Sequence, residues 1–364
     1  MKRLLMIVVG SIILLSLLSS SLGERSLPGQ WYGSTIREMT ETPDGFYMLA
    51  DGFLYYYDPD TFEPELACSR LNCLHQFENN PGDCDACTLG DCLTMIDGHL
   101  YYDEINTFGR MLPDGTNHEE WMKAPWSMDA QQIPYGFQGQ YYIYIEESTK
   151  ASEDLDISID CTFCVIDISD PKNECMIIEK WNGLEQALMP IQVSDGKLYY
   201  LTGTLEGEKH LWVCNLTTNE KKELYHTKNT GTYYCENNIA YMLKYDQGVS
   251  VIDLGTAEER TILLKDEADP RYTQYYCDGR YFYSIGTAED GSSCGIMIYD
   301  LAGNELVSAQ IQSASTLYYI ANEYLIFRGN DGYDLPRIAV ELESLLRGEP
   351  DIKDFIIPEV LPND

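Results

Sequence analysis

The chain has 364 residues and a formal net charge of −35, from 24 Lys and Arg against 59 Asp and Glu. That acid excess argues against nucleic acid and against anionic membrane surfaces as partners, since both are bound through basic patches. Apolar residues make up 44%, enough for a buried core, and the 28 Tyr suit half-buried strands that pack a ring and keep a hydroxyl at a wet edge.

In chain order, residues 1–23 read as an export signal peptide. Met1-Lys2-Arg3 gives a positive start, Leu4 to Leu18 is apolar apart from Gly10, Ser11 and Ser16, and Ser19 to Gly23 offers small residues for cleavage. The apolar stretch is shorter than the roughly 20 residues of a spanning helix. The alternative is an uncleaved N-terminal membrane anchor at residues 4–18. No Cys precedes position 68, so there is no site for a lipid-bearing Cys. Either way the remainder is expected outside the cytoplasmic membrane, extracellular or on the cell surface.

Residues 24–44 form a lead-in, with Ser34–Met39 as a candidate innermost strand. From 45 to 357 one phrase keeps returning: a turn, usually Asp-Gly, then a Tyr-rich strand. Asp97-Gly98-His99-Leu100-Tyr101-Tyr102 and Asp195-Gly196-Lys197-Leu198-Tyr199-Tyr200 are the clearest copies. Marked at their second turn residue, seven copies fall at 45, 98, 139, 196, 238, 279 and 322, with gaps of 53, 41, 57, 42, 41 and 43. A near-constant period with two enlarged gaps signals a repeat architecture. In the fourth repeat, strands are expected at Pro190–Ser194, Lys197–Thr202, His210–Asn215 and Lys221–His226. Four strands per repeat is the content of one β-propeller blade, and radial repetition also protects sheet edges. The expected fold is therefore an all-β propeller, with seven four-stranded blades as the count and six or eight left open by the blurred ends.

The first long gap holds Cys68, Cys73, His75, Cys84, Cys87 and Cys92 within 25 residues, around the turn-forming Asn79-Asn80-Pro81-Gly82-Asp83. The 68–92 insertion is read as a small module that something cross-links. Disulfides among Cys68, Cys73, Cys84, Cys87 and Cys92 are one reading, permitted by export. The other is a Cys3His zinc site at Cys68, Cys73, His75 and Cys84, although the first pair departs from the usual C-x2-C knuckle. No other cofactor is implied.

The second long gap, 146–160, is acidic and reads as a long hairpin loop over one rim, where binding is often carried. Cys161 and Cys164 follow in a stretch that stays extended, which does not fit a redox C-x-x-C at a helix N-terminus. Cys235 and Cys277 occupy matching places in adjacent repeats, and Cys175, Cys214 and Cys294 stand alone. Gly291 to Gly295 matches G-x-S-x-G but falls in a hairpin, whereas a nucleophile elbow needs a helix after the Ser. No stretch is left for the hydrolase domain that prolyl-oligopeptidase-type enzymes join to a propeller. No catalytic residues are assigned. Near the end, Glu341–Arg347 has helical spacing, and Asp354–Ile357 is expected either to complete the last blade or to pair with the first; residues 358–364 form a tail.

The phrase Val193-Ser194-Asp195-Gly196-Lys197-Leu198-Tyr199-Tyr200, with Leu211–Leu216 and Glu223-Leu224 after it, resembles the repeats of TolB-like and low-density-lipoprotein-receptor-type (YWTD) propellers. Cys68-x4-Cys73-x-His75, followed by Cys84-Asp85-Ala86, resembles an element of uncharacterised exported propellers of Gram-positive, often gut, bacteria. The resemblance implies fold and location and carries no reaction. The function expected is a non-enzymatic binding or scaffold role toward an extracellular protein, peptide or glycan. The alternatives are a carboxylate-based glycan-active enzyme at the channel mouth and a metal-linked sensor using the Cys-rich module.

Overall fold

The computed structural model describes residues 38–356, apart from 43, 51, 72, 74–83, 89, 127–129, 152–156, 184–185, 205–206, 229–231, 237, 245–247, 263–272, 289–292, 322 and 330–335. The signal or anchor segment, most of the lead-in, His75 and the C-terminal tail lie outside the described residues.

Asp97 and Gly98, and likewise Asp195 and Gly196, all take positive φ, between 47° and 77°. Two consecutive residues of this kind make the tight hairpin turn whose twist matches the flanking strands. Each turn joins the first and second strands of a blade. The first blade is β1 (Met39–Thr42), β2 (Gly45–Ala50), β3 (Phe53–Tyr57) and β4 (Pro64–Leu66). The second is β5 (Leu93–Ile96), β6 (His99–Asp103), β7 (Thr107–Met111) and β8 (Glu119–Lys123). The third is β9 (Gln131–Gln138), β10 (Tyr141–Ala151), β11 (Ile157–Asp167) and β12 (Met176–Asn182). The fourth is β13 (Gln186–Ser194), β14 (Lys197–Thr204), β15 (Lys209–Asn215) and β16 (Lys221–Thr227). The fifth is β17 (Thr232–Glu236), β18 (Ile239–Lys244), β19 (Gly248–Asp253) and β20 (Glu259–Ile262). The sixth is β21 (Thr273–Cys277), β22 (Tyr281–Thr287), β23 (Ser293–Asp300) and β24 (Glu305–Gln312). The seventh is β25 (Ala314–Ile320), β26 (Tyr324–Gly329), β27 (Pro336–Glu341) and β28 (Ile352–Asp354), with the short helix α1 (Leu342–Leu346) before its last strand. Every blade is an antiparallel sheet of four consecutive strands, so the architecture is the expected seven-bladed propeller.

The cores lie between blades, which explains the unbroken apolar runs. On β14, Leu198 and Tyr200 join a layer with Ile143 and Phe163 of the third blade, while Tyr199 and Leu201 join one with Cys235 and Met242 of the fifth. Alternate residues of a strand point to opposite faces, and here both faces are buried. Buried Tyr hydroxyls find carboxylates: Tyr142 donates to Asp103 at 2.7 Å, Tyr200 to Glu179 at 2.9 Å and Tyr283 to Asp278 at 2.9 Å. First strands of successive blades are neighbours from β1 through β21. One joint copies a backbone ladder. Gln192, beside the bulge after Pro190, donates through Nε2 to the Cys235 carbonyl and accepts the Cys235 N–H at 2.9 Å.

Three stretches refine or correct the sequence reading. β1 places the innermost strand of the first blade at Met39–Thr42, inside the 24–44 lead-in and downstream of most of Ser34–Met39. The 146–160 stretch is not a loop up to 151 or from 157: β10 and β11 are both eleven-residue strands in continuous register, from Tyr141↔Asp167 to Ala151↔Ile157. Its charges marked it as loop, but strands with a solvent face accept charged side chains, and Lys150 meets Asp160 at 2.5 Å across the pair. Finally, β28 pairs with β27 and completes the last blade, and among the described residues the first and last blades share no strand.

Candidate metal centre and a groove on the third blade

The 68–92 insertion runs from the outer strand of the first blade to the inner strand of the second. The Cys68 N–H bonds back to the Leu66 carbonyl at 2.7 Å, turning the chain directly after β4. A second turn, closed by Cys87 N–H to Cys84 O at 3.2 Å, follows the undescribed middle. It is pinned beside β3 by Leu54 N–H to Ala86 O at 2.7 Å and Thr88 N–H to Gly52 O at 3.0 Å.

Asp85, buried at 6% exposure, joins the two turns. Its carboxylate accepts from Arg70 Nε at 2.6 Å and from Ser69 Oγ at 3.0 Å. Its carbonyl lies 2.5 Å from His118 Nε2 on the second blade. Gly115 in the β7–β8 turn has φ +77°, and a Cβ there would stand 1.8 Å from the Ala67 carbonyl, so this close approach requires glycine.

These turns gather three sulfurs. The Sγ atoms of Cys68, Cys73 and Cys84 all lie within 4.8 Å of one another, with Cys84 buried and the other two half-buried. Backbone N–H groups point at them: those of Arg70 and Asp85 donate to the Cys68 sulfur, and that of Ala86 to the Cys84 sulfur. Burial opposes ionisation of Cys68, but the two N–H groups and the Cys73 and Cys84 thiols outweigh it and hold its pKa below the ordinary thiol value. Burial pushes Cys84 up to about 12 against the Ala86 N–H, with Cys73 and Cys68 adding to the rise. Hydrogen bonds thus converge on the Cys68 sulfur from two backbone N–H groups and from the two neighbouring cysteines.

Of the other candidates in this stretch, Cys87 is buried beside Cys73, and burial, then that neighbour, raises its pKa. Cys92 is not in the cluster; it packs with Tyr101, Phe108 and Tyr142 between the second and third blades. Its backbone N–H donates to Asp103 Oδ1 at 2.6 Å, which fixes the exit of the insertion.

Elsewhere, Cys161 and Cys164 enter different inter-blade layers, as their strand placement implies. Ser293 starts β23 and is followed by strand, not helix. Cys175 looked isolated in the sequence, yet its thiol is hydrogen-bonded to Cys164, and the Tyr144 hydroxyl lies 3.3 Å from its sulfur. The pairing of β11 with β12, which ends at Val165↔Met176, brings Cys175 beside Cys164.

The extended β10–β11 hairpin frames a groove of about 530 Å³. Glu146, Ser148 and Lys150 of β10, Asp160 and Thr162 of β11 and Lys180 of β12 line it, all on one face by the strand register. Cys161 and Trp181 also border it, and both belong to the layer packed against the fourth blade. The surface is concave, polar and of mixed charge. The three buried carboxylates among the described residues, Asp85, Asp103 and Asp278, are all engaged in structural hydrogen bonds.

The described chain is thus a seven-bladed β-propeller that carries a three-sulfur cluster between its first two blades. No family model matches it, and no curated protein sequence does. Among solved structures, it is similar to a prolyl endopeptidase, with a TM-score of 0.52 and 10% identity over 88% of this chain and 50% of that one. It therefore spans half the length of that protein. It is also similar to the computationally designed Ika8 protein (TM-score 0.45, 14% identity, 83% of this chain and 96% of that one). BamB from Moraxella catarrhalis is a third (TM-score 0.42, 12% identity, 82% and 92%). At 10% identity the likeness to the prolyl endopeptidase shows the fold and does not extend to activity.

Among the described residues, no helix is long and apolar enough to cross a membrane.

Proposed function

We propose that this chain is an exported β-propeller that binds a protein, peptide or glycan outside the cytoplasmic membrane and acts as a scaffold, without transforming its ligand. The observation that carries the reading is the groove framed by β10 and β11, the two longest strands among the described residues. Concave surfaces with a few convergent polar groups are the usual form of a ligand site. Lys150 and Lys180 offer donors and positive charge, and Glu146 and Asp160 offer acceptors. That set suits a zwitterionic peptide segment or a charged sugar. Export is supported by the composition of residues 1–23.

Two measurements test this. Panels of extracellular peptides and glycans are screened against the purified chain, with the expectation of micromolar binding that Lys150→Ala combined with Lys180→Ala abolishes. The absence of any binder at micromolar concentration overturns the binding reading. Fractionation of the native cells is expected to place the protein in the medium or on the cell surface, and a cytosolic location overturns export.

A further inference from the structure

We propose that Cys68, Cys73 and Cys84 bind a soft divalent cation of the zinc class, which fastens the insertion between the first and second blades. This inference is independent of the ligand of the groove. It rests on four features of the cluster.

The first is distance. Zinc–sulfur bonds of about 2.3 Å at tetrahedral angles place sulfurs roughly 3.8 Å apart. Three sulfurs within 4.8 Å of one another need only small side-chain adjustments to reach that spacing. The second is number. A disulfide joins two sulfurs, whereas one ion engages all three of this cluster together.

The third is the direction of the backbone. Arg70 N–H reaches the sulfur two residues before it, at Cys68, and Ala86 N–H reaches the sulfur two residues before it, at Cys84. A thiolate carries a full charge for such donors, and hydrogen bonds from the surroundings orient and tune the sulfurs of metal sites. The fourth is the brace. Asp85 ties the Cys68 turn to the Cys84 turn through Ser69 and Arg70, holding the ligands close before any ion arrives.

The donor set also selects the cation. Thiolates favour zinc and other soft ions over magnesium or calcium, which prefer oxygen. A tetrahedral ion takes one further donor, a side chain or water. On binding, the thiol protons leave to solvent, and three thiolates face the cation. The gain is structural. The described part of the insertion is held by its turns, the Arg70–Asp85 salt bridge and backbone bonds, and an ion bound to Cys68, Cys73 and Cys84 links the turn after β4 to the turn beside β3.

The test uses the full chain as isolated under non-reducing conditions and again after reduction. Metal analysis is expected to find one equivalent of zinc, and adding zinc to the reduced, metal-free chain is expected to shield three thiols from an aromatic disulfide reagent. Cobalt substituted for zinc is expected to show sulfur-to-cobalt charge-transfer absorption in the near ultraviolet. Cys68→Ser, Cys73→Ser and Cys84→Ser each lose the metal, and Cys175→Ser keeps it. The proposal is overturned if the reduced chain binds no zinc offered in excess, if the reactive-thiol count does not change with zinc, or if peptide mapping of the isolated protein finds two of the three joined as a disulfide. The zinc titration of the unaltered chain needs no variant, so a misfolded Ser variant leaves the test intact.

Discussion

The ring of Phe355 stacks on that of Tyr57 with centroids 4.4 Å apart, joining the residue after the last strand of the seventh blade to the third strand of the first. Phe62 lies 5.6 Å from Phe355 and 5.0 Å from Tyr324, and Lys353 Nζ donates to the Pro59 carbonyl at 3.2 Å. Among the described residues no strand is shared across this junction, and aromatic packing joins its two sides. Phe355 is 2% exposed. Phe355→Ala is expected to cost about 3–5 kcal/mol through lost burial and the cavity left behind. Chemical denaturation should show the loss, and first- and last-blade amides should lose protection from hydrogen exchange before the others.

Tyr57 carries the opposite lesson. Its hydroxyl is buried without a hydrogen-bond partner. Tyr57→Phe keeps the ring stack and removes a polar atom whose burial costs about 1–3 kcal/mol when unpaired. The variant is expected to be as stable as the parent or more so, read by thermal unfolding. A clear loss of stability would mean that the hydroxyl is satisfied.

Asp85 is expected to act on the metal site through the turns it joins. Asp85→Asn keeps the size of the side chain and weakens the link to Arg70. Zinc affinity should fall by about 10–100-fold, the range for residues that orient ligands without touching the ion. Competition against a chromophoric chelator measures it.

Gln192 links the fourth and fifth blades with a donor and an acceptor to one residue, Cys235. Gln192→Ala is expected to cost about 1–3 kcal/mol by leaving buried backbone groups unpaired. Gln192→Glu should be worse, because a carboxylate oxygen would then face the Cys235 carbonyl.

Lys150 separates stability from binding. Its ion pair with Asp160 is exposed, and pairs of this kind contribute at most about 1 kcal/mol. Lys150→Ala should leave the unfolding midpoint almost unchanged while weakening whatever the groove binds. Calorimetry and a binding isotherm on the same sample distinguish the two effects.

Much of the architecture was written in neighbouring residues. Asp97-Gly98 and Asp195-Gly196 mark hairpins because few residue pairs tolerate two positive φ angles, and runs such as Leu198-Tyr199-Tyr200-Leu201 mark strands buried on both faces. Repeated at a steady interval, these local preferences specify blades and nearly specify their number. They also mark where the pattern breaks, at the cysteine insertion and at the acidic hairpin.

The tertiary structure decided which distant residues meet. Chain spacing grouped Cys92 with the other cysteines of the insertion, but its burial beside Phe108 and Tyr142 separates it from them. Spacing left Cys175 alone, and strand register set it against Cys164. It left the closing strand undecided between two blades, and the fit of Phe355 against Tyr57 and Phe62 accompanies its place in the last one. Turns and strands follow from torsional preference and alternation within a few residues. Contacts such as Gln192 with Cys235 arise only when neighbouring blades have packed, since packing and buried hydrogen bonds then fix one mutual placement.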